Sequence, residues 1–571
     1  MAPWTALRPL CGPRLFARFL STTTTTYPPS HEFFNFTRCR FLYNEEANLK
    51  KRHLLFDVSE LQNAVLRATG ASSVLSMTKL HESFANRVFL LHLDNGARVL
   101  AKLPYARTGA TLATASEVAT MAFAREQLDV PVPNVLDWST RPGNDTVRER
   151  IGSNYIIMEL ARGRQIAWVW DELALEQKES FMQLVAVLQS KISSVALPAY
   201  GSLYFADELD GLGISRALSV PVPEDPRFVV GPNAGPEWYK RERAQMEIDR
   251  GPWTDVLECI RAPALRERAW ISAHAVQWDP EEEPNPVSGP QAHVLAIDDY
   301  LKLAPYLPPP VGNDFPALRH LDISPTHIFV THTEDGIAIS DVIDWLYTEA
   351  APLYLQVGLP WEIMRPFAIW PPPKVKISND ASTPPPERPA APDREAQDEY
   401  ERARCSWAYY DAMNECDPAW LEMGVDSTRP VRQHPTLQAG CSWGNRPWTD
   451  HLPALRYSLA HVTRGWDDLM RDRARFANLE PVECPVVYSD EELTAIKEKF
   501  EEWDRMQSTF DQLPFIYREG GAIPHDSYDS AKEALQEMYD QAMKDLEPVM
   551  NEAELARAPV AFPFRDGADW D

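Results

Sequence analysis

No CxxC pair occurs among the seven cysteines, Cys11, Cys39, Cys259, Cys405, Cys416, Cys441 and Cys484, which are odd in number and far apart. That argues against a disulfide framework and against a zinc site of ordinary ligand spacing, and leaves reduced core or surface thiols. A basic surplus is also missing. Lys and Arg total 56 against 83 Asp and Glu, a formal charge of −27, so neither nucleic acid nor an anionic membrane suits as the main partner, because binding of that kind needs a net basic face. No window approaches the ~20 apolar residues of a membrane span, and no self-similarity recurs at solenoid periods. What is present is a 571-residue chain, 44% hydrophobic and 10% aromatic with 18 Trp. That composition makes a globular protein long enough for more than one domain.

The first thirty residues differ in character from the rest. "MAPWTALRPLCGPRLFARFLSTTTTTYPPS" carries Arg8, Arg14 and Arg18, a hydroxyl run from Ser21 to Thr26, and no acid before Glu32. This is the composition of a mitochondrial presequence, and its apolar stretches are too short for a secretory signal. The expectation is cleavage near Leu20 to Thr26 and a matrix location, with residues 1–26 as the presequence; an untargeted tail is the alternative. Loss of its three arginines takes the charge from −27 to −30.

Downstream, "RVFLLHL" (Arg87 to Leu93) and "ARVLAKL" (Ala97 to Leu103) flank Asp94-Asn95-Gly96, which predicts a hairpin. In "TASEVATMAFAREQL", Val118, Met121, Ala122 and Leu128 share one helical stripe, and Thr114 or Ser116 could cap it. "VPVPNVLDW" and "YIIMEL" (Tyr155 to Leu160) read as extended segments. From Leu173 the period becomes helical, with Phe181, Leu184, Val185, Leu188 and Ile192 on a core face. "IFVTHTEDGIAISDVIDW" predicts a second hairpin turning at Asp335-Gly336, whereas "WPPPKVKISNDASTPPPERPAAPDREA" is too Pro-rich to pack. The acidic remainder predicts helices with stripes Tyr400/Ala403/Trp407/Tyr410, Leu493/Ile496/Phe500/Trp503 and Leu535/Met538/Ala542/Leu546, the second opened by a capping box of Ser489 and Glu492.

Phosphoryl transfer from ATP needs a cation on the donor phosphates, a carboxylate and a second ligand on Mg²⁺, and a carboxylate that orients the acceptor hydroxyl. Lys102, inside "VLAKL", sits where a strand lysine would reach phosphates, and Glu117 on the next helix could pair with it. Each has a plainer alternative, an exposed strand lysine and a first-turn acid favoured by the helix dipole. "HLDISPTHIFV" places Asp322 in a loop before one strand, and "VIDW" returns Asp344 at the end of its hairpin partner, so the two carboxylates can converge. Asp341 reads as a solvated hairpin residue. A zinc triad of His320, His327 and His332 has no supporting spacing.

Taken in order, "RVFLLHLDNGARVLAKLP", "TASEVATMAF", "VPVPNVLDWS", "YIIMELARG", "GSLYF", "DRGPW", "HLDISPTHIFV" and "VIDW" resemble the fungal aminoglycoside-phosphotransferase-like family, in the subgroup around altered inheritance of mitochondria protein 9. The resemblance runs from roughly Phe36 to Pro360. It implies an α+β, two-lobed protein-kinase-like fold with a mainly helical C-terminal extension, ATP between the lobes near Met158 and Leu160, Asp322 as catalytic base, Asp344 on the metal, and His320 as a structural histidine. The expected domains are a nucleotide lobe over 36–160, a catalytic lobe over 161–370, a Pro-rich insertion over 371–395 and a helical extension over 396–571 packed on the catalytic lobe. The acceptor is an unknown small molecule, or the partner an unknown protein.

Two departures from the family pattern bear on activity. "ESFANRVF" carries Ser83 and Phe84 where relatives resemble "EGGFNRVF"; glycines let backbone amides approach phosphate, so these side chains are expected to crowd the nucleotide loop. His327 occupies the position of a metal-binding Asn. An imidazole is a poor Mg²⁺ ligand and suits Mn²⁺ or softer ions better, unless His327 only packs or caps the loop. A pseudokinase-like binding or scaffold protein without turnover is therefore the competing reading.

Overall fold

The computed structural model describes residues 28–105, 109–140, 150–275, 290–308, 314–334, 336–356, 386–387, 393–418, 452–477, 479–511 and 521–547. The segment 1–26 read as a presequence, Asp335 and most of the Pro-rich segment 371–395 lie outside them. After a short strand β1 (Arg40–Phe41), the first lobe is built on β2 (Val74–Glu82), β3 (Asn86–Leu93), β4 (Arg98–Pro104), β5 (Val135–Ser139) and β6 (Tyr155–Glu159). They form one antiparallel sheet in the order β2-β3-β4-β6-β5. The expected hairpin is β3-β4; Gly96 supplies its left-handed residue (φ 82), and the Asn95 side chain accepts from the Ala97 N–H at 3.0 Å.

The helix over this sheet, Ala110–Glu126, starts earlier than expected and is capped by neither hydroxyl. Gly109 (φ 82) opens it without a side-chain cap, and the Thr114 hydroxyl donates back to the Ala110 carbonyl at 2.8 Å. A glycine that can turn left-handed against Tyr239 replaces the side-chain cap. The helix is buried on nearly every side, which fixes Glu117 in depth.

The chain leaves β6 through Leu160–Gly163 and pairs β7 (Arg164–Gln165) with β12 (Ile328–Thr333), which is also paired with β13 (Gly336–Val342). Gly163 (φ +83) is forced: a Cβ there would strike the Val330 carbonyl and lie 2.8 Å from the Ser340 hydroxyl. Gly163→Ala is expected to cost about 2–3 kcal/mol in a urea unfolding titration. The same crossing corrects the reading of Asp341. It is 2% exposed, accepts from the Arg162 backbone N–H at 2.7 Å and from its guanidinium at 3.0 and 3.1 Å. Asp341 is not solvated, because the neighbouring hinge residue Arg162 folds over it.

The second lobe centres on the helix Leu175–Ser193, where Phe181, Val185, Leu188 and Ile192 are buried as the period predicts and Leu184 is half-buried. Around it lie a small sheet of β8 (Ser202–Phe205), β9 (Val220–Pro221) and β10 (Phe228–Gly231) and the antiparallel pair β11 (Pro316–Arg319) with β14 (Glu349–Pro352). The helices Val256–His274 and Pro290–Leu303 complete it.

In the extension, Arg394–Cys416 lies along Leu175–Ser193, with Tyr409 donating to the Gln189 side chain at 2.7 Å. Its buried face is Cys405, Ala408, Tyr409 and Met413; Tyr400, Ala403, Trp407 and Tyr410 are only half-buried. Two adjacent stripes of this helix are apolar, and periodicity does not say which one meets a neighbour. The helices Leu452–Arg464, Trp466–Ala477 and Asp490–Asp511 follow. Leu452, Leu455, Leu459 and Trp466 share a core with Trp270, Ile271 and Ile297 of the second lobe. The capping box is present, Ser489 N–H to Glu492 at 2.8 Å and Glu492 N–H to Ser489 Oγ at 3.2 Å; Ile496 is buried and Phe500 stacks on Tyr457.

Among the described residues, the last part of the extension packs on the first lobe. A strand β15 (Ala522–Ile523) pairs with β1, and the helix Tyr528–Leu546 follows it, with the Arg40 guanidinium 3.6 Å over the Tyr528 ring. Ala522, Ile523, Tyr528, Ala531 and Leu535 are buried and Met538 is half-buried, while the side chains of Ala542 and Leu546 lie outside the described residues. Strand pairing with a segment some 480 residues away leaves no local signal in composition. Among the described residues no helix is long and apolar enough to cross a membrane.

Candidate active site

Lys102 lies on β4, hydrogen-bonded in register between Val88 of β3 and Ile156 of β6, so its position is fixed by two ladders. Its Nζ is 2.6 Å from Glu117 Oε1 and 3.2 Å from Asp344 Oδ1, and it is 7% exposed. Burial works against the ammonium, but the two carboxylates outweigh it and raise its pKa, so it stays charged. Neither plain alternative holds. Lys102 is not an exposed strand lysine, and Glu117, 3% exposed, is not a solvated first-turn acid.

The loop from His320 to His327 is organised by the backbone. His320 Nδ1 accepts the Asp322 N–H at 3.1 Å, its Nε2 faces the Ile343 carbonyl at 3.2 Å, and its ring meets the Trp345 edge at 4.6 Å. Ile343 N–H in turn bonds the His327 carbonyl at 3.0 Å. The loop carrying Asp322 and the strand end carrying Asp344 are thus tied at two points. Burial pushes the His320 pKa down to about 4. Its unfolded value is about 6.5, so the neutral ring stabilises the fold fully above that pH, and up to about 3 kcal/mol is lost as pH falls towards 4. His327 shifts the opposite way, so the test is a difference: the denaturant midpoint of the wild type should fall more between pH 7 and 5 than that of His320→Asn.

His327 lies between the two carboxylates. Its Nδ1 is 3.3 Å from Asp322 Oδ2, 3.0 Å from the Asp322 carbonyl and 3.1 Å from Ser324 Oγ, and its Nε2 is 3.7 Å from Asp344 Oδ2. Burial tends to neutralise the imidazole, but Asp322 and Asp344 raise its pKa; burial tends to raise both carboxyls, but His327 holds Asp322 low, and Lys102 with His327 holds Asp344 low. One donor atom each from Asp322, His327 and Asp344 lies within 4.8 Å of the others. Two carboxylates and an imidazole at that separation fit a divalent cation. His320 is committed to the backbone and His332 is exposed on the hairpin, so no histidine triad forms.

Asp344 has φ 62 and Tyr347 φ 62, left-handed values that are rare outside glycine and tolerated best by Asp and Asn. They turn the chain after β13, and Leu346 and Tyr347 line a small cavity with Lys102, Glu117, Asn86 and Tyr105. Asn86, Tyr105, Leu346 and Tyr347 were not anticipated; that Leu346 and Tyr347 come just after the "VIDW" aspartate was the available signal. Met158 is buried on β6 among core residues, and Leu160 is half-buried at the start of the hinge. Phe84 does not crowd the site as expected. Its ring stacks on Phe36 at 6.3 Å and lies 5.0 Å from the Arg52 guanidinium, within the aromatic cluster of the first lobe. Ser83 stays in the turn between β2 and β3.

A β-rich lobe with a buried Lys–Glu pair, hinged to a second lobe that presents a His-x-Asp loop and a strand-end Asp, defines an α+β protein-kinase-like fold. The chain belongs to the phosphotransferase enzyme family (APH), which matches residues 76–372. It is 27% identical over 530 residues to a subtelomeric hrmA-associated cluster protein of Aspergillus fumigatus, covering 82% of this chain and 94% of that protein. It is also 27% identical over 385 residues to the mitochondrial altered inheritance of mitochondria protein 9 of Yarrowia lipolytica, covering 62% of this chain and 64% of that one. Among solved structures it is similar to the GDP and kanamycin complex of APH(2")-IIia, with 12% identity, a TM-score of 0.34, and coverage of 78% of this chain and 98% of that one.

Proposed function

We propose that this chain is an ATP-dependent phosphotransferase that acts in mitochondria on a hydroxyl of a small molecule. The observation that carries the reading is the convergence of Lys102, Glu117, Asp344 and Asp322 from four separate stretches of sequence at one cleft. Lys102, held by Glu117, is placed to meet the donor phosphates. Asp344 and His327 would hold the divalent cation, Mg²⁺ or Mn²⁺, which when bound supplies positive charge against those phosphates. Asp322, half-exposed and kept ionised, orients the acceptor hydroxyl and takes its proton as the phosphoryl group leaves ADP. The basic, acid-free leader and the mitochondrial name of the Yarrowia relative support the location. Residues 36–160 would then serve as the nucleotide lobe and 161–370 as the catalytic lobe.

One observation favours the second reading, a binding module without turnover. His327 engages Asp322 Oδ2 at 3.3 Å, which leaves the carboxylate fewer acceptor sites for an incoming hydroxyl. Calorimetric titration of ATP with Mn²⁺, with Mg²⁺ and without metal tests the site. The wild type should bind about tenfold tighter with Mn²⁺ than with Mg²⁺, and His327→Asn should reverse the order, because Mg²⁺ prefers oxygen ligands. Equal affinity in all three conditions would remove the metal from the account.

A further inference from the structure

We propose that the Ser83 hydroxyl holds the turn between β2 and β3 closed, and that this one atom limits how much of a nucleotide's phosphate the first lobe can grip. The proposal rests on the reading that a nucleotide binds in the cleft beside Lys102.

The turn is satisfied from within. Ser83 N–H donates to the Asn86 carbonyl at 2.9 Å, while Ser83 Oγ accepts from the N–H groups of Ala85 at 3.1 Å and Asn86 at 3.0 Å. Successive backbone amides in a turn are the groups an anion draws on. Here two of them point at a neutral side-chain oxygen. The position matters, because Ala85 and Asn86 line the same cavity as Lys102 and Glu117. Phosphate is the stronger acceptor, since hydrogen bonds to a charged oxygen are about twice as strong as neutral ones. The amides would serve a triphosphate only after leaving Ser83.

The rest of the turn is anchored by groups that have other structural work. Phe84 is packed on Phe36 and Arg52, and the Ala85 carbonyl accepts the Tyr105 N–H at 2.9 Å. Glu82, 4% exposed, accepts from Thr37 N–H at 2.9 Å and Arg87 Nε at 2.8 Å. Changes at those residues would disturb the lobe. Removing the half-buried Ser83 hydroxyl takes away the competing acceptor and one long bond that it donates to the Asn86 carbonyl at 3.4 Å, a carbonyl the Ser83 N–H still engages.

The test compares ATP and adenosine affinities, with Mn²⁺ present, in full-length wild type, Ser83→Ala and Ser83→Thr. Ser83→Ala should bind ATP about tenfold tighter and adenosine as before, because two amides become available to phosphate. Ser83→Thr keeps the acceptor and should keep the wild-type ratio. An ATP-to-adenosine ratio that is unchanged or lower in Ser83→Ala overturns the proposal while leaving nucleotide binding intact. If no protein binds either ligand, the nucleotide reading falls and the proposal falls with it.

Discussion

Asp322→Asn should lower ATP turnover by about a thousandfold while leaving ATP affinity within about twofold, the size expected for losing a positioned general base. The substitution keeps the shape of the loop. The N–H of residue 322 still reaches His320 Nδ1 (3.1 Å) and its carbonyl still receives the Ser324 N–H (2.9 Å), since both are backbone groups. What disappears is a carboxylate held in its ionised form, which alone can accept a proton from an attacking hydroxyl. Turnover measured as ADP formation, beside a binding titration of the same preparation, separates the two effects. Equal turnover in variant and wild type would show that Asp322 is not the base.

The second large effect belongs to Asp344. Asparagine is the informative replacement, because φ 62 at this position would strain alanine while Asn tolerates it. Asp344→Asn removes the charge that faces Lys102 at 3.2 Å and His327 at 3.7 Å. Metal-dependent ATP binding should weaken about a hundredfold, roughly 3 kcal/mol, while binding without metal changes little. A variant that keeps its full metal response would place the cation elsewhere.

Much of this site was readable before folding because its parts are short and local. The pair Asp322 and Asp344 follows from a loop before one strand and the end of its hairpin partner, and hairpin geometry alone brings them together. Lys102 and Glu117 were harder. The sequence allowed them, but only the ladders on both sides of β4 and a helix buried all round turn an ordinary lysine and glutamate into a pair 2.6 Å apart. Asp341 was misread as solvated because nothing in the hairpin's own sequence points to Arg162, 179 residues earlier, whose backbone and guanidinium cover it. Phe84 was misread because a large side chain in a loop was taken to fill the nearest space. The ring is instead drawn to the aromatic residues of the first lobe, where its apolar area is buried. The return of β15 to β1 was invisible for a further reason: two-residue strands carry no period, and their pairing depends on the position of everything between them.

The central claim is that the site moves a phosphoryl group. Its most direct measurement is incubation of the full-length protein with γ-³²P-ATP, Mn²⁺ and a protein-free mitochondrial extract, followed by separation of the labelled small molecules, with Asp322→Asn in parallel. A labelled small molecule should form with the wild type and be absent with the variant. ATP binding by both proteins without any labelled product would contradict phosphoryl transfer and favour a module that binds nucleotide without using it.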